Sequence, residues 1–308
     1  MFRTSKLFLT TATLLSAIFI GVSLLSPSIN ESISIWILLI SVFIVGIPHG
    51  AIDHIIASEL FRNNKGFRGH LMFYSSYLLI MAILGLLWFL SPPAGMVVFL
   101  LISIYHFGQA DMEEYIIDEH PPVSWNILRG IFVIGLILFS NTGKTFPVIS
   151  DATGIQEAVF QSILSYPNTV IATLLIVYLM ASLFSLYQGR IRNPLIFFAD
   201  AFLLTALFLI TGPFIGFAVY FAVWHSSGHI HEMIRFFNSR NKNFGLREFI
   251  LKSLPFTIIS LLGLTGLYYI QELTGSGQRF ITLMFILISV LTLPHMVVVN
   301  KMYSSYKN

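Results

Sequence analysis

The sequence contains no cysteine and few charged residues, and both absences restrict what the protein can be. Of its 308 residues, 17 are Lys or Arg and 14 are Asp or Glu, which is 10% of the chain. Soluble domains carry about 25% charged residues, so this composition excludes a soluble globular enzyme and a nucleic-acid-binding protein. The absence of cysteine excludes disulfides, cysteine nucleophiles and thiolate ligands, so that histidine and carboxylates must hold any metal.

Hydrophobic residues make up 56% of the sequence and lie in long continuous runs. A helix needs about 20 mostly apolar residues to cross a bilayer, and most of the runs approach or reach that length. The pattern predicts an all-α, polytopic transmembrane helix bundle, which forms a single integral membrane domain over residues 1–308. The ten predicted spans are 7–25, 34–53, 71–91, 94–110, 127–140, 169–187, 194–211, 213–234, 254–273 and 280–300.

Two of these runs leave the number of membrane spans open, and one long segment between runs is not predicted to span the membrane. The fifth span is short, and the first run is either a retained span, which we favour, or a signal peptide, because Arg3 and Lys6 precede it. Eight spans are therefore the alternative count. Residues 141–168 form the only long predicted loop, in which we expect a short amphipathic or re-entrant piece.

Basic residues fall almost entirely on one side of this topology. With the N-terminus in the cytoplasm, 15 of the 17 Lys and Arg are cytoplasmic, and only Lys144 and Arg279 are not. The positive-inside rule predicts such an asymmetry. We therefore expect an even number of spans, both termini in the cytoplasm and insertion in the inner (cytoplasmic) membrane. The fifteen are Arg3, Lys6, Arg62, Lys65, Arg68, Arg129, Arg190, Arg192, Arg235, Arg240, Lys242, Arg247, Lys252, Lys301 and Lys307.

Histidines occur at one predicted depth in four different spans. His49 lies in the second span, His106 in the fourth, His225 and His229 in the eighth and His295 in the tenth. Ionisable residues at such positions are energetically costly and tend to face the interior of a helix bundle. The pattern indicates that several of these imidazoles converge on one point.

Helical geometry singles out His225 and His229, which are four residues apart and share one helical face. That spacing lets two imidazoles bind one metal. A ligating histidine usually donates its second ring N–H to a nearby polar group. The candidates for this role are Asp53 after His49, Gln109 after His106 and Glu232 after His225. Small residues that would let helices approach closely are Gly50, Gly108, Ser226, Ser227 and Gly228.

The other buried polar and aromatic residues admit two interpretations each. A single buried histidine is more often structural, but His49, His106, His225 and His229 together favour a metal site. His295 is either a further ligand or a hydrogen-bonding neighbour of the site, and we favour the neighbour. Asp200 either pairs with Arg190 or Arg192 or orients a histidine. The aromatic residues nearest the histidines, as candidate pocket residues, are Tyr105, Phe107, Tyr220, Phe221 and Trp224.

The remaining four histidines are expected to take no part in the site. His54 and His231 lie off the shared helical face and near the headgroups, so interfacial positions are expected. His70 and His120 lie among charged residues and are expected on the surface.

The donor set points to a class of chemistry. Imidazole ligands suit Zn, Cu, Fe and Ni, and a site within the bilayer favours an apolar substrate. Oxidation of a lipid by iron and O2 requires neither a charged substrate nor a nucleophilic residue, because the metal carries the chemistry. The sequence shows no Ser-His-Asp arrangement, P-loop or GxGxxG motif. These features favour a membrane iron oxygenase that acts on a lipophilic molecule.

Four motifs resemble the Brp/Blh family of bacterial and archaeal membrane β-carotene 15,15'-dioxygenases. They are Pro48–His54, Tyr105–Asp111, Trp224–His229 and Pro294-His295. The resemblance implies Fe(2+)- and O2-dependent cleavage of the central double bond of β-carotene to two all-trans-retinal molecules. It implies that His49, His106, His225 and His229 ligate the iron. A retinal-binding rhodopsin is the downstream partner that such an activity would supply.

Three other classes remain as alternatives. A di-iron desaturase or hydroxylase needs around eight histidines in several boxes, whereas this sequence has one HxxxH, so two irons per chain would favour that class. A transporter should show broken helices, inverted repeats and a site at the middle of the membrane. A haem protein should show a Soret absorption band.

Overall fold

The computed structural model describes residues 5–60, 67–113, 115–117, 122–240, 242–274 and 280–305. No strand occurs in these ranges, apart from one isolated bridge between Ile116 and Ile191. The predicted all-α class is confirmed. Several residues used in the topology and histidine arguments lie outside the described ranges: Arg3, Arg62, Lys65, His120, Arg279 and Lys307.

The helices follow one another with short connections. In chain order they are α1 (Lys6–Leu25), α2 (Pro27–Ser41), a π-helical segment π1 (Val42–Gly46), α3 (Ile47–Gly50), α4 (Asp53–Leu60), α5 (Phe67–Leu90), α6 (Pro92–Met112), α7 (Val123–Phe139), α8 (Thr142–Thr153), a 3₁₀ turn (Glu157–Phe160), α9 (Gln161–Leu164), α10 (Pro167–Tyr187), α11 (Pro194–Thr211), α12 (Pro213–Val219), a second π-helical segment π2 (Tyr220–Ser226), α13 (Ser227–Asn238), α14 (Leu246–Thr274) and α15 (Phe280–Ser305). Residues 141–168, predicted as a loop with a short amphipathic or re-entrant piece, are largely helical.

Eight helical stretches of the described chain are long and apolar enough to cross a membrane. They make this a multi-pass membrane protein and match the lower predicted count. The fifth predicted span corresponds to α7, which forms with α8 a pair bent by 97° and counts as a ninth span only if the pair is taken as one. The orientation of the termini stays a prediction.

The eighth predicted span is helical but is not among these eight stretches. Residues 213–238 form a continuous series of α12, π2 and α13. The stretch is long enough to span a bilayer, but the polar run Trp224–His229 and the residues after it lower its hydropathy. The same histidines that mark the candidate site therefore weaken the hydrophobic signal of the helix that carries them.

The described chain divides into two compact units. Unit 1 comprises Met1–Val45, Ser103–Pro147 and Gln156–Gly228, and unit 2 comprises Gly46–Ile102, Val148–Ile155 and His229–Asn308. Each unit has its own core.

In unit 1, side chains from the first two helices bond to backbone carbonyls near helix breaks. The hydroxyl of Ser23 donates to the Ile210 carbonyl at 2.8 Å, and the Asn30 amide donates to the Thr211 carbonyl at 3.2 Å. These carbonyls end α11, where the last four acceptors of a helix have no partner within it. The Ser41 hydroxyl donates to the Ala218 carbonyl, just before π2, at 2.7 Å.

Helices α6 and α7 of unit 1 approach each other at two glycines. A Cβ atom added to Gly108 would lie 1.6 Å from the backbone oxygen of Asn126, and one added to Gly130 would lie 1.7 Å from the backbone oxygen of Ile104. Only a residue without a side chain fits at either position. Small residues allow this kind of backbone contact between membrane helices, and here the contact fixes the part of α6 that carries His106.

The core of unit 2 contains two apolar clusters. The larger one is built by residues of α4, α13, α14 and α15 with Ile52 and Phe244, and the smaller one surrounds Trp88 on α5. The indole N–H of Trp88 donates to the hydroxyl of Ser289 on α15 at 2.8 Å, within the buried region. These contacts hold α15, the helix that carries His295.

Replacing Gly108 with alanine should destabilise the protein, because the added methyl group overlaps the α7 backbone. Overpacking of this kind costs about 1–3 kcal/mol. Thermal unfolding of Gly108→Ala in detergent should therefore occur at a lower temperature than that of the wild type. Gly21→Ala on α1 is the matched control, because nothing lies within 4 Å of its added Cβ. Equal unfolding temperatures for the two variants would contradict the close approach.

Candidate metal centre

Unit 2 brings three buried histidines together. His49 lies on α3, His229 on α13 and His295 on α15. The ring centres of His49 and His295 are 4.9 Å apart, and each is 5.8 Å from the ring centre of His229. The hydroxyl oxygen of Tyr303 lies 3.5 Å from Nδ1 of His229. Two predicted ligands and the predicted neighbour therefore form one cluster of rings.

Asp53 of unit 2 bonds to His295, whereas the helical spacing had indicated His49. The α-helix ends at Gly50 and resumes at Asp53, so the assumed four-residue spacing on one continuous helix does not apply. The carboxylate oxygens of Asp53 lie 2.9 and 3.1 Å from Nδ1 of His295. The hydroxyl of Tyr77 donates to the same carboxylate at 2.9 Å.

Unit 1 holds the other two predicted ligands close together. The rings of His106 on α6 and His225 in π2 are buried, with their centres 4.9 Å apart at 81°. Phe107 contacts the edge of the His225 ring at 4.6 Å, and Phe221 stacks on it at 5.4 Å. Phe107 and Phe221 are thus the predicted pocket residues that contact a predicted ligand.

The other predicted pocket residues take different positions in unit 1. Tyr220 and Trp224 are buried and bond to the carboxylates of Asp111 and Asp200 respectively. Tyr105 is half-buried. Their predicted roles at the substrate stay predictions, but for Tyr220 and Trp224 the structure assigns polar partners that the sequence did not indicate.

The two remaining predicted neighbours of the ligands differ in their surroundings. The side-chain oxygen of Gln109 is buried, three residues after His106 on α6, and has no hydrogen bond within the described chain. Glu232 accepts a hydrogen bond from Arg235, which is three residues further along the same helix, at 3.1 Å. Neither position tests the predicted role beside a ligand.

The histidines expected outside the site differ in exposure. His70 is exposed, and His54 and His231 are half-buried. Nδ1 of His54 lies 3.1 Å from the Ala51 carbonyl, and its ring packs on Phe256 with 4.5 Å between ring centres. These contacts agree with the bystander role expected for His54.

A fully buried arginine organises the polar residues of unit 1. Arg129 on α7 donates through Nε to Asp111 at 2.8 Å and through a terminal nitrogen to Asp200 at 2.6 Å. The other terminal nitrogen lies 3.3 Å from the hydroxyl of Tyr178. The indole N–H of Trp224, which directly precedes His225, donates to Asp200 at 2.5 Å. One guanidinium therefore links α6, α7, α10, α11 and, through Asp200 and Trp224, π2.

The sequence did not indicate that Arg129 and Asp200 pair with each other. Arg129 was counted among the cytoplasmic basic residues, but it is buried between two carboxylates and is no surface charge. For Asp200 the sequence left open a pair with Arg190 or Arg192 or a role in orienting a histidine, and its ion-pair partner is Arg129. The available signal was the position of Arg129, which is the only basic residue within a predicted apolar span.

The donor chemistry of these residues fits an iron ion. All four predicted ligands are buried, and burying imidazoles among apolar residues is costly unless they bind a partner. Imidazole nitrogen is a suitable ligand for iron. The convergence of all four on one ion stays a prediction.

Replacing Arg129 with methionine should strongly destabilise the protein, because Asp111 and Asp200 would be left as buried carboxylates without their cation. Removing one partner from a buried ion pair typically costs about 3–5 kcal/mol. Chemical or thermal unfolding of the purified chain in detergent measures the loss.

The matched control is Arg190→Met, which removes one of the two arginines that the sequence offered as possible partners of Asp200. The Arg190 side chain is exposed, and changes at such sites usually shift stability by less than about 0.5 kcal/mol. A larger loss for Arg190→Met than for Arg129→Met would contradict the observed pairing.

Comparison with known proteins identifies relatives over most of the chain. The family model described as "Beta-carotene 15,15'-dioxygenase" matches residues 40–303. A "Beta-carotene 15,15'-dioxygenase" of an uncultured marine bacterium is 23% identical over 287 residues, which cover 89% of this chain and 95% of the relative. A "Probable beta-carotene 15,15'-dioxygenase Blh" of Halobacterium salinarum is 25% identical over 286 residues, which cover 86% and 83%.

No solved structure matches the chain. The family match extends from the end of α2, before His49, to the last turn of α15, after His295, and thus includes every histidine of the candidate centre. The sequence motifs had indicated the same relationship. The chain belongs to the beta-carotene 15,15'-dioxygenase family.

Proposed function

We propose that the protein is an iron-dependent dioxygenase that cleaves the central 15,15' double bond of β-carotene with O2 to give two all-trans-retinal molecules. The observation that carries the proposal is the family match over residues 40–303, which includes all four predicted ligands. Both relatives are named for the same substrate and bond. The burial of the histidines among apolar and aromatic residues supports an apolar substrate.

Four histidines would hold the metal: His49, His106, His225 and His229. Bound Fe(2+) would supply the redox chemistry that lets O2 react with a carbon–carbon double bond. The overall reaction balances without a further reductant, because each oxygen atom of O2 ends in one of the two aldehyde groups. The protein therefore needs no second cofactor for this reaction.

The chain's own residues would position the substrate and keep water out. Phe107 and Phe221 contact the ring of His225, so that an apolar surface lies directly beside a ligand. An extended polyene would pack on such aromatic faces through apolar contact. The position at which the polyene is held relative to the ligands would decide whether the central bond or another bond is cleaved.

The location of the site suggests how the substrate arrives. The eight apolar helices place the protein in the bilayer, and β-carotene dissolves in lipid. We therefore propose that β-carotene enters the site from the bilayer. The asymmetry of the basic residues supports the inner (cytoplasmic) membrane. A retinal-binding rhodopsin in the same membrane would be a consumer of the product.

Expression in bacteria that accumulate β-carotene should test the proposed reaction. We expect the orange colour to fade and retinal to appear in chromatograms of the extract, in amounts that depend on iron and O2. Unchanged β-carotene in cells that contain the folded protein would refute the proposal. Metal analysis of the purified chain should give one iron per chain, whereas two would favour a di-iron enzyme.

Replacement of any one of His49, His106, His225 or His229 with alanine should abolish retinal formation and lower the iron content. The reason is that each imidazole would supply one bond to the metal. His70→Ala is the matched control, because His70 is exposed. This substitution should leave both retinal formation and iron content unchanged. Full turnover in one of the four variants would remove that residue from the proposed ligand set.

A further inference from the structure

His295 is held in one orientation by a chain of hydrogen bonds within unit 2. Its Nδ1 atom lies 2.9 and 3.1 Å from the two carboxylate oxygens of Asp53. One of these oxygens accepts a hydrogen bond from the hydroxyl of Tyr77 at 2.9 Å. The three residues lie on α15, α4 and α5, and His295 and Asp53 are both buried. The imidazole is thus oriented through Nδ1.

This arrangement determines which ring nitrogen of His295 can bind a metal. A carboxylate accepts hydrogen bonds, so Nδ1 carries the proton that lies between the two groups. In the neutral imidazole the lone pair then belongs to Nε2. Histidines that ligate metals commonly donate their second N–H to a carboxylate in this way, which fixes the ring and raises its basicity.

The three histidine rings of unit 2 lie close together. Their centres form a triangle with sides of 4.9, 5.8 and 5.8 Å.

We propose that His295 is itself a ligand of the iron centre, through Nε2, beside His49 and His229. Asp53 and Tyr77 are positioning residues, which act on the metal through His295. The proposal rests on the proposed function in one respect, because it concerns the same iron. It adds a fifth imidazole to the four that the family motifs imply and assigns Asp53 to His295 instead of His49.

Ferrous iron itself is the probe for this proposal. The purified full-length chain, reduced and metal-free in detergent, is titrated with Fe(2+) under anaerobic conditions in competition with a chelator. His295→Gly should bind iron more than about 100-fold more weakly than the wild type, since loss of an orienting partner alone costs about 10- to 100-fold. Asp53→Asn, which keeps the size of the side chain, should lose about 10- to 100-fold.

Added imidazole distinguishes a lost ligand from a disturbed fold. Free imidazole can occupy the space that His295→Gly leaves and should restore much of the iron affinity. It should not restore the affinity of Asp53→Asn, in which the ring is still present. His54→Gly is the matched control, because His54 lies next to Asp53 in sequence but packs on Phe256, and its affinity should equal that of the wild type.

Two results would overturn the ligand role of His295. One is an affinity of His295→Gly within tenfold of the wild type, and the other is a weakened affinity that imidazole fails to raise in folded protein. If His295→Gly does not fold, Asp53→Asn decides, and an unchanged affinity there overturns the proposal. Failure of the wild type to bind iron or cleave β-carotene would instead refute the proposed function, so the two failures are distinguishable.

Discussion

A polar group buried among apolar helices can only bond to other groups of the same chain, and this constraint governs the interior of the protein. Arg129 meets it by contacting Asp111 and Asp200, which lie on two other helices. The planar guanidinium suits two carboxylates at once because its donors point in fixed directions. A buried ion pair adds little net stability against an apolar alternative. We therefore infer that Arg129 serves mainly to fix how these helices are positioned against one another, and that it adds less to the net stability of the fold.

The same constraint accounts for the surroundings of the histidines. In unit 1, Trp224 donates to Asp200, so the residue before His225 is tied to the Arg129 network. In unit 2, Asp53 and Tyr77 fix His295. Each unit thus fixes a histidine, or the residue before it, through a carboxylate from another helix. Apolar packing alone fixes the depth of a side chain but leaves a planar ring free to turn.

The sequence predicted the class of fold and the burial of the histidines because both depend on local features. Long apolar runs dictate helices, and polar residues within them are recognisable singly. The partner of Asp200 is 71 residues away, and that of Asp53 is 242 residues away, so no local spacing indicates them. The prediction for Asp53 assumed a regular helix past Gly50, and the turn before α4 removes that basis. The sequence motifs identified the family without knowledge of these distant partners.

The two π-helical segments determine the rotation of the helix that follows each of them. π1 ends three residues before His49, and His225 lies within π2. A π turn holds one residue more than an α turn for the same advance along the helix. If either segment became a regular α-helix with the same number of residues, everything after it would rotate by about 100°. A substitution that removed the π turn would therefore misdirect an imidazole that it had not touched, so the geometry of π1 and π2 constrains the sequence as much as the identity of the histidines.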